Sequence, residues 1–210
     1  MFFYPFYRTS NKAFIRILHA SPDAPAVDIY ANDKILVKDL RYKQFTEYLQ
    51  VTSDMYNIKV YPRGTKSKPV IDTNITVNPE SITTIVAVGQ LSNIHLLPVN
   101  DAILPRNPNK SYVRFAHVSP NTPAVDITLP DGSVIFKDIS FEEITEYAEI
   151  TPGKYTLQAR PTGTNSVALT IPNIITKPNR FYTIYAVGLI GETPPLQVLI
   201  PLDGNSYIEF

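Results

Sequence analysis

The chain contains the same pattern twice, and no other feature limits its fold so strongly. Arg16-Ile17-Leu18-His19-Ala20-Ser21-Pro22-Asp23-Ala24-Pro25-Ala26-Val27-Asp28 returns as Arg114-Phe115-Ala116-His117-Val118-Ser119-Pro120-Asn121-Thr122-Pro123-Ala124-Val125-Asp126. Thr46-Glu47-Tyr48 returns as Thr145-Glu146-Tyr147, and Ala87-Val88-Gly89 as Ala186-Val187-Gly188. The offset is 98 residues from Arg16 to Arg114 and 99 from Thr46 to Thr145, so the register slips by a single position. Such a chain is expected to fold as two units of one kind. The expected division is an N-terminal tail over 1–12, repeats over 13–101 and 111–203, a linker over 102–110 and a C-terminal tail over 204–210. Leu104-Pro105-Arg106-Asn107-Pro108 has two prolines and no alternation, which suits a short semi-rigid connection.

Within each repeat, apolar residues alternate with period two. Ile15, Ile17 and His19 share one parity, opposite Phe14, Arg16 and Leu18; Val113, Phe115 and His117 stand likewise against Tyr112, Arg114 and Ala116. Further strands are expected over 26–30, 34–37, 46–51, 56–61, 70–77, 83–88 and 94–99, with counterparts in the second repeat. Turn residues such as Ala31-Asn32-Asp33, Pro62-Arg63-Gly64 and Pro161-Thr162-Gly163 separate them. About seven short strands in roughly 90 residues predict an all-β fold: two tandem antiparallel β-sandwiches. Nineteen prolines and thirteen tyrosines fit stiff loops and sheet surfaces. Cysteine is absent, which excludes disulfide and thiolate chemistry. A net charge of zero gives no footprint for nucleic acid, and no apolar run approaches the ~20 residues of a membrane helix.

The doubled His-x-Ser-Pro-x-x-Pro-Ala-Val-Asp segment, followed by Thr-Glu-Tyr and a tyrosine-rich strand, resembles the bacterial DUF4397 family, a domain of unknown function. Both copies match, so the resemblance extends over about 180 of the 210 residues. Pro152-Gly153-Lys154-Tyr155-Thr156-Leu157 is similar to the turn-and-strand element of transthyretin-like and immunoglobulin-like sandwiches; Ser53-Asp54-Met55-Tyr56 replaces it in the first repeat. The resemblance implies a cell-surface or secreted protein with no enzymatic role.

Candidate chemistry is sparse. His19, Ser21 and Asp28, or His117, Ser119 and Asp126, could in principle form a hydrolytic or metal-binding set. Each histidine has the parity of the core residues, however. A histidine closing a core strand and bonded to the next turn accounts for it without chemistry. No catalytic residue, metal or cofactor is expected, and Arg16, His19, Ser21, Pro22, Asp28, Arg114, His117, Ser119, Pro120 and Asp126 are read as a structural motif. Arg16 with Asp28, and Arg114 with Asp126, are expected to form cross-strand ion pairs. Tyr48 and Tyr147, each on one strand face with Thr46 or Thr145, are the alternative: a stacking platform for glycans.

The tails are the least ordinary segments. Phe2, Phe3, Tyr4, Phe6 and Tyr7 precede the first repeat and have no counterpart before the second, and Tyr207 and Phe210 follow the last strand. Aromatics in such density invite association. The expectation is a non-enzymatic structural protein of a cell or spore surface, outside the cell although no secretory signal is recognisable. It would assemble with copies of itself by adding its N-terminal segment to a neighbour's open sheet edge, without inserting into a membrane.

Overall fold

The computed structural model describes residues 10–210. Repeat 1 contributes β1 (Lys12–His19), β2 (Val27–Ala31), β3 (Lys34–Leu40), β4 (Leu49–Thr52), β5 (Met55–Pro62), β6 (Ile71–Thr76), β7 (Ile82–Val88) and β8 (His95–Asn100). Repeat 2 answers with β9 (Ser111–His117), β10 (Val125–Thr128), β11 (Val134–Ile139), β12 (Ala148–Ile150), β13 (Gly153–Pro161), β14 (Leu169–Thr176), β15 (Arg180–Val187) and β16 (Gln197–Leu199). Each repeat is a sandwich of two four-stranded sheets: an inner one, β4-β1-β7-β8 or β12-β9-β15-β16, and an outer one, β3-β2-β5-β6 or β11-β10-β13-β14. No helix among the described residues is long and apolar enough to cross a membrane.

Period-two alternation builds each core. Ile15 and Ile17 of β1 meet Val27 and Ile29 of β2, Val60 of β5 and Ile85 of β7; Phe115, Ile127, Leu157 and Ile184 repeat this in the second sandwich. Pairing between the named strands is antiparallel except at the middle of each inner sheet, where β1 runs parallel to β7 and β9 parallel to β15. The strand before β7 lies in the outer sheet, so β7 returns by a crossover, and a crossover permits the parallel neighbour that a hairpin forbids.

The strand expected over 46–51 begins only at Leu49. The Thr46 amide donates to the Ile17 carbonyl, and the Ile17 amide donates to the Thr46 hydroxyl rather than to a carbonyl, 2.9 Å each. Thr145 and Phe115 do the same, again at 2.9 Å. A side chain that takes a ladder bond diverts its backbone, and the next two residues run irregularly. Tyr48 and Tyr147 therefore leave the strand row and lean over the inner sheet.

The duplicated Ala-Val-Gly ends β7 and β15. Gly89 and Gly188 take φ of +89° and +90°, and a Cβ on Gly188 would stand 2.2 Å from the Pro195 carbonyl oxygen. Only glycine fits that close approach.

A third apolar cluster joins the sandwiches. Leu18, Val86, Val88 and Val99 of repeat 1 pack against Ala116, Val118, Tyr185 and Val187 of repeat 2, flanked by Phe45 and Ile144. The inner sheets are thus covered on both faces, and every residue of β7 and β9 is buried.

Candidate functional site

His19 and His117 are fully buried. The Nε2 of each faces a carbonyl oxygen six residues on, Pro25 at 3.0 Å and Pro123 at 3.2 Å, so the ring donates there and anchors the Ser-Pro loop. Burial holds both imidazoles below their usual pKa, hence neutral. Ser119 Oγ donates to the Gly188 carbonyl at 2.6 Å and meets Thr122 Oγ1 at 2.7 Å; Ser21 Oγ is buried with no partner among the described residues. Neither serine is bonded to its histidine, and neither is open to substrate.

The expected Arg16–Asp28 and Arg114–Asp126 pairs do not form. β1 and β2 belong to different sheets, as do β9 and β10, and the aspartates face away from the arginines. Asp28 instead accepts the amides of Asp39 and Gly64, 2.9 Å each, and these bonds hold its carboxyl below the usual range. Asp126 accepts the Asp138 amide at 2.8 Å. Asp39 and Asp138 both take φ of +54°, a left-handed bend that the aspartate–amide bonds pin.

Each arginine crosses to the other repeat. Arg16 donates from Nε to Thr84 Oγ1 at 2.8 Å, from Nη1 to the Leu202 carbonyl at 2.9 Å and from Nη2 to Asp203 Oδ1 at 2.8 Å. Arg114 donates from Nε to Thr183 Oγ1 at 2.8 Å, from Nη1 to the Asn100 carbonyl at 2.6 Å and from Nη2 to Asp101 Oδ1 at 2.7 Å. Tyr48 lies under the Arg16 guanidinium, 4.7 Å from its ring centre, and donates to Asp101 Oδ2 at 2.9 Å. Tyr147 lies under Arg114 at 4.4 Å and donates to Asp203 Oδ2 at 2.8 Å. The contacts are reciprocal, as at a two-fold interface between identical subunits.

All four charges are buried: the two arginines are 4% exposed, Asp101 is 4% and Asp203 is 0%. The two cations and two anions cancel. Burial, with Asp101 nearby, raises Asp203 to about 6, and burial also pushes the Tyr48 and Tyr147 hydroxyls above their usual range. Tyr48 and Tyr147 are half-buried, each with one ring face under a guanidinium. Among the described residues no group of three His, Cys, Asp or Glu is placed to hold a metal.

The C-terminal residues fold back over repeat 1. The Gly204 amide donates to Asp101 Oδ2 at 3.0 Å, the Tyr207 ring meets Tyr48 at 6.3 Å, and Phe210 meets Phe14 at 5.7 Å. Tyr207 and Phe210 stay largely exposed. Phe2, Phe3, Tyr4, Phe6 and Tyr7 lie outside the described residues.

Sequence reasoning missed Asp101 and Asp203. A signal existed: each follows the last strand of its repeat, and the arginines stand alone in strands that are apolar on both faces.

Comparison with known proteins gives a family and little more. The family model described as "Domain of unknown function (DUF4397)" matches residues 13–128 and 111–206. No curated protein matches the chain. Among solved structures, the Bacillus anthracis TIE protein is similar at 13% identity and a TM-score of 0.26; the match covers 89% of this chain, which spans only 34% of that one. A family CBM26 module, CBMbc from Eubacterium rectale Amy13K in complex with maltoheptaose, is similar at 10% identity and a TM-score of 0.26, covering 92% of this chain and 99% of that one. Likenesses this distant transfer no role.

Proposed function

The chain belongs to the DUF4397 family, and from that premise we propose that it is a non-enzymatic structural protein of a cell or spore surface. Its two sandwiches act as one stiff block that assembles with copies of itself through the aromatic N-terminal segment. One observation carries this reading: the candidate arginines and aspartates and the Nε2 of both histidines are already committed. The histidines hold their own loops, Asp28 and Asp126 hold their own bends, and the arginines, Asp101 and Asp203 weld one repeat to the other.

A welded pair suits a building block, because a joint stapled by two buried ion pairs transmits force without hinging. The outer sheets also keep open edges at β3, β6, β11 and β14, where Ile35, Val134 and Ile175 are exposed. Unpaired edges are the surfaces to which another chain's strand adds.

Light scattering on the full chain and on a variant lacking residues 2–7 tests the proposal. The full chain is expected as oligomers and the variant at the mass of one chain, about 23 kDa against 23.6 kDa for the intact chain. Equal masses for the two proteins would overturn it.

A further inference from the structure

Three of the large apolar side chains that remain exposed gather at one end of the molecule: Ile103 at 68%, Tyr207 at 55% and Phe210 at 44%. They belong to segments with no counterpart in the repeats, the connection after β8 and the C-terminal tail. Between those segments runs a groove of about 210 Å³, walled mainly by Ile82, Ile103, Leu104, Phe181, Ile208 and Phe210, with Arg106, Asn205 and Glu209 also on its lining. An apolar cavity of roughly 150 Å³ already accepts a benzene ring, so this groove has room for an aromatic side chain. Its floor offers backbone as well: Ile103 and Leu104 make no backbone hydrogen bond to any described residue.

We infer that this groove is the acceptor for residues 2–7 of a second copy, which run in extended form alongside Ile103 and Leu104 and seat an aromatic ring against Phe181 and Ile208. The inference rests on the self-assembly proposed above and names its receiving site. The occupant is argued from the chemistry of the segment and from where the described chain begins. Five of residues 2–7 are aromatic and none is charged, which matches the mainly apolar wall, and the tyrosine hydroxyls suit its polar rim of Arg106, Asn205 and Glu209. An extended segment sends alternate residues to one side, so Phe2, Tyr4 and Phe6 would face the groove together.

The Ser10 amide is held by Glu80 Oε1 at 2.7 Å, and the Asn11 carbonyl accepts the Ser53 amide at 2.8 Å, so residues 10 and 11 are tied to repeat 1. Phe210, packed on Phe14, places one wall of the groove beside the start of β1.

Complementation between two crippled chains tests the inference. Ile103→Asp places a charge in the groove at a position already open to water, so it keeps the donor segment and spoils the acceptor. Deleting residues 2–7 keeps the acceptor and removes the donor. Each protein alone is expected at the mass of one chain in multi-angle light scattering, with a melting curve like that of the full chain. An equimolar mixture is expected to form a one-to-one complex. An Ile103→Asp chain that assembles like the full chain, or a mixture that stays at the mass of one chain, would overturn the acceptor site. If the deletion alone leaves the full-chain mass unchanged, self-assembly through the segment fails, and the acceptor site with it.

Discussion

At the seam the two repeats use the same parts in the same places, and on their outer sheets they do not. Arg16 and Arg114 each hold a threonine hydroxyl, a backbone carbonyl and the other repeat's aspartate, and each covers a tyrosine ring. On the outer face of repeat 1, Tyr30 and Tyr61 pack edge to face at 5.5 Å, with the Lys66 ammonium 4.6 Å over Tyr30. The matching positions of repeat 2 are Thr128 and Arg160, and Arg160 bonds to Gln158 at 2.7 Å instead. The difference separates two kinds of requirement. A reciprocal interface needs both halves, because changing one leaves a buried charge unpaired. An outer face answers only to its own sheet, so either repeat can vary alone.

The largest test of that contrast removes one arginine. A buried ion pair that loses a partner leaves an uncompensated charge, at a cost of about 3–5 kcal/mol. Arg16→Met and Arg114→Met are each expected to cost that much in urea unfolding, and to agree within about 1 kcal/mol because their surroundings are alike. Clearly unequal losses would show that the seam's symmetry is only geometric.

Removing the tyrosine hydroxyls probes the same seam more gently. Tyr48→Phe and Tyr147→Phe each delete one donor to a buried carboxylate and keep the ring under the guanidinium. Hydrogen bonds to charged groups contribute about 1.5–3 kcal/mol, and both variants are expected in that range. If Tyr48→Phe proves neutral, the Gly204 amide, which already shares Asp101 Oδ2, has replaced the lost donor.

Much of this fold is legible in the residues. The repeat follows from the matched segments, and the succession of strands and the core parity of Ile15, Ile17 and Phe115 follow from period-two alternation. The seam is legible only in hindsight. Ile82-Thr83-Thr84-Ile85-Val86-Ala87-Val88 has no polar face beyond two threonines, the mark of a strand covered on both sides. Alternation tells which residues face the core, but not that the opposite face is also covered. Pairing Arg16 with Asp28 failed for a related reason: nearness in sequence says nothing about which sheet a strand joins. Thr46 shows the limit at single-residue scale, since a hydroxyl standing in for a carbonyl leaves no periodic trace.

Acidification separates the seam from the two cores. The buried histidines have lowered pKa values, so the unfolded chain binds their protons first, and stability falls as pH drops below about 6.5. Asp203 works the other way. Its carboxyl is raised to about 6 in the folded chain, so between that value and its unfolded value near 4 the folded state binds the proton. Stability then rises as pH falls, by at most about 1.4 kcal/mol per pH unit. In Asp203→Asn only the histidine trend survives, and stability is expected to fall more steeply from pH 6 to 5 than in the unmodified chain. Parallel curves from urea titrations would mean that Asp203 stays ionised throughout, held by Arg16 and its hydroxyl donors.

The smallest effect bears on the outer faces. Lys66 gains from the Tyr30 ring about 0.5–1 kcal/mol, as exposed cation–aromatic contacts do. Lys66→Ala is expected to cost that amount in the unmodified chain and almost nothing in a Tyr30→Thr background, which gives repeat 1 the residue that repeat 2 carries at Thr128. The double-mutant cycle isolates the pair, since neither substitution touches the seam. A cost that persists without the ring would assign Lys66 to its own loop, and the two outer faces would then differ less in energy than in composition.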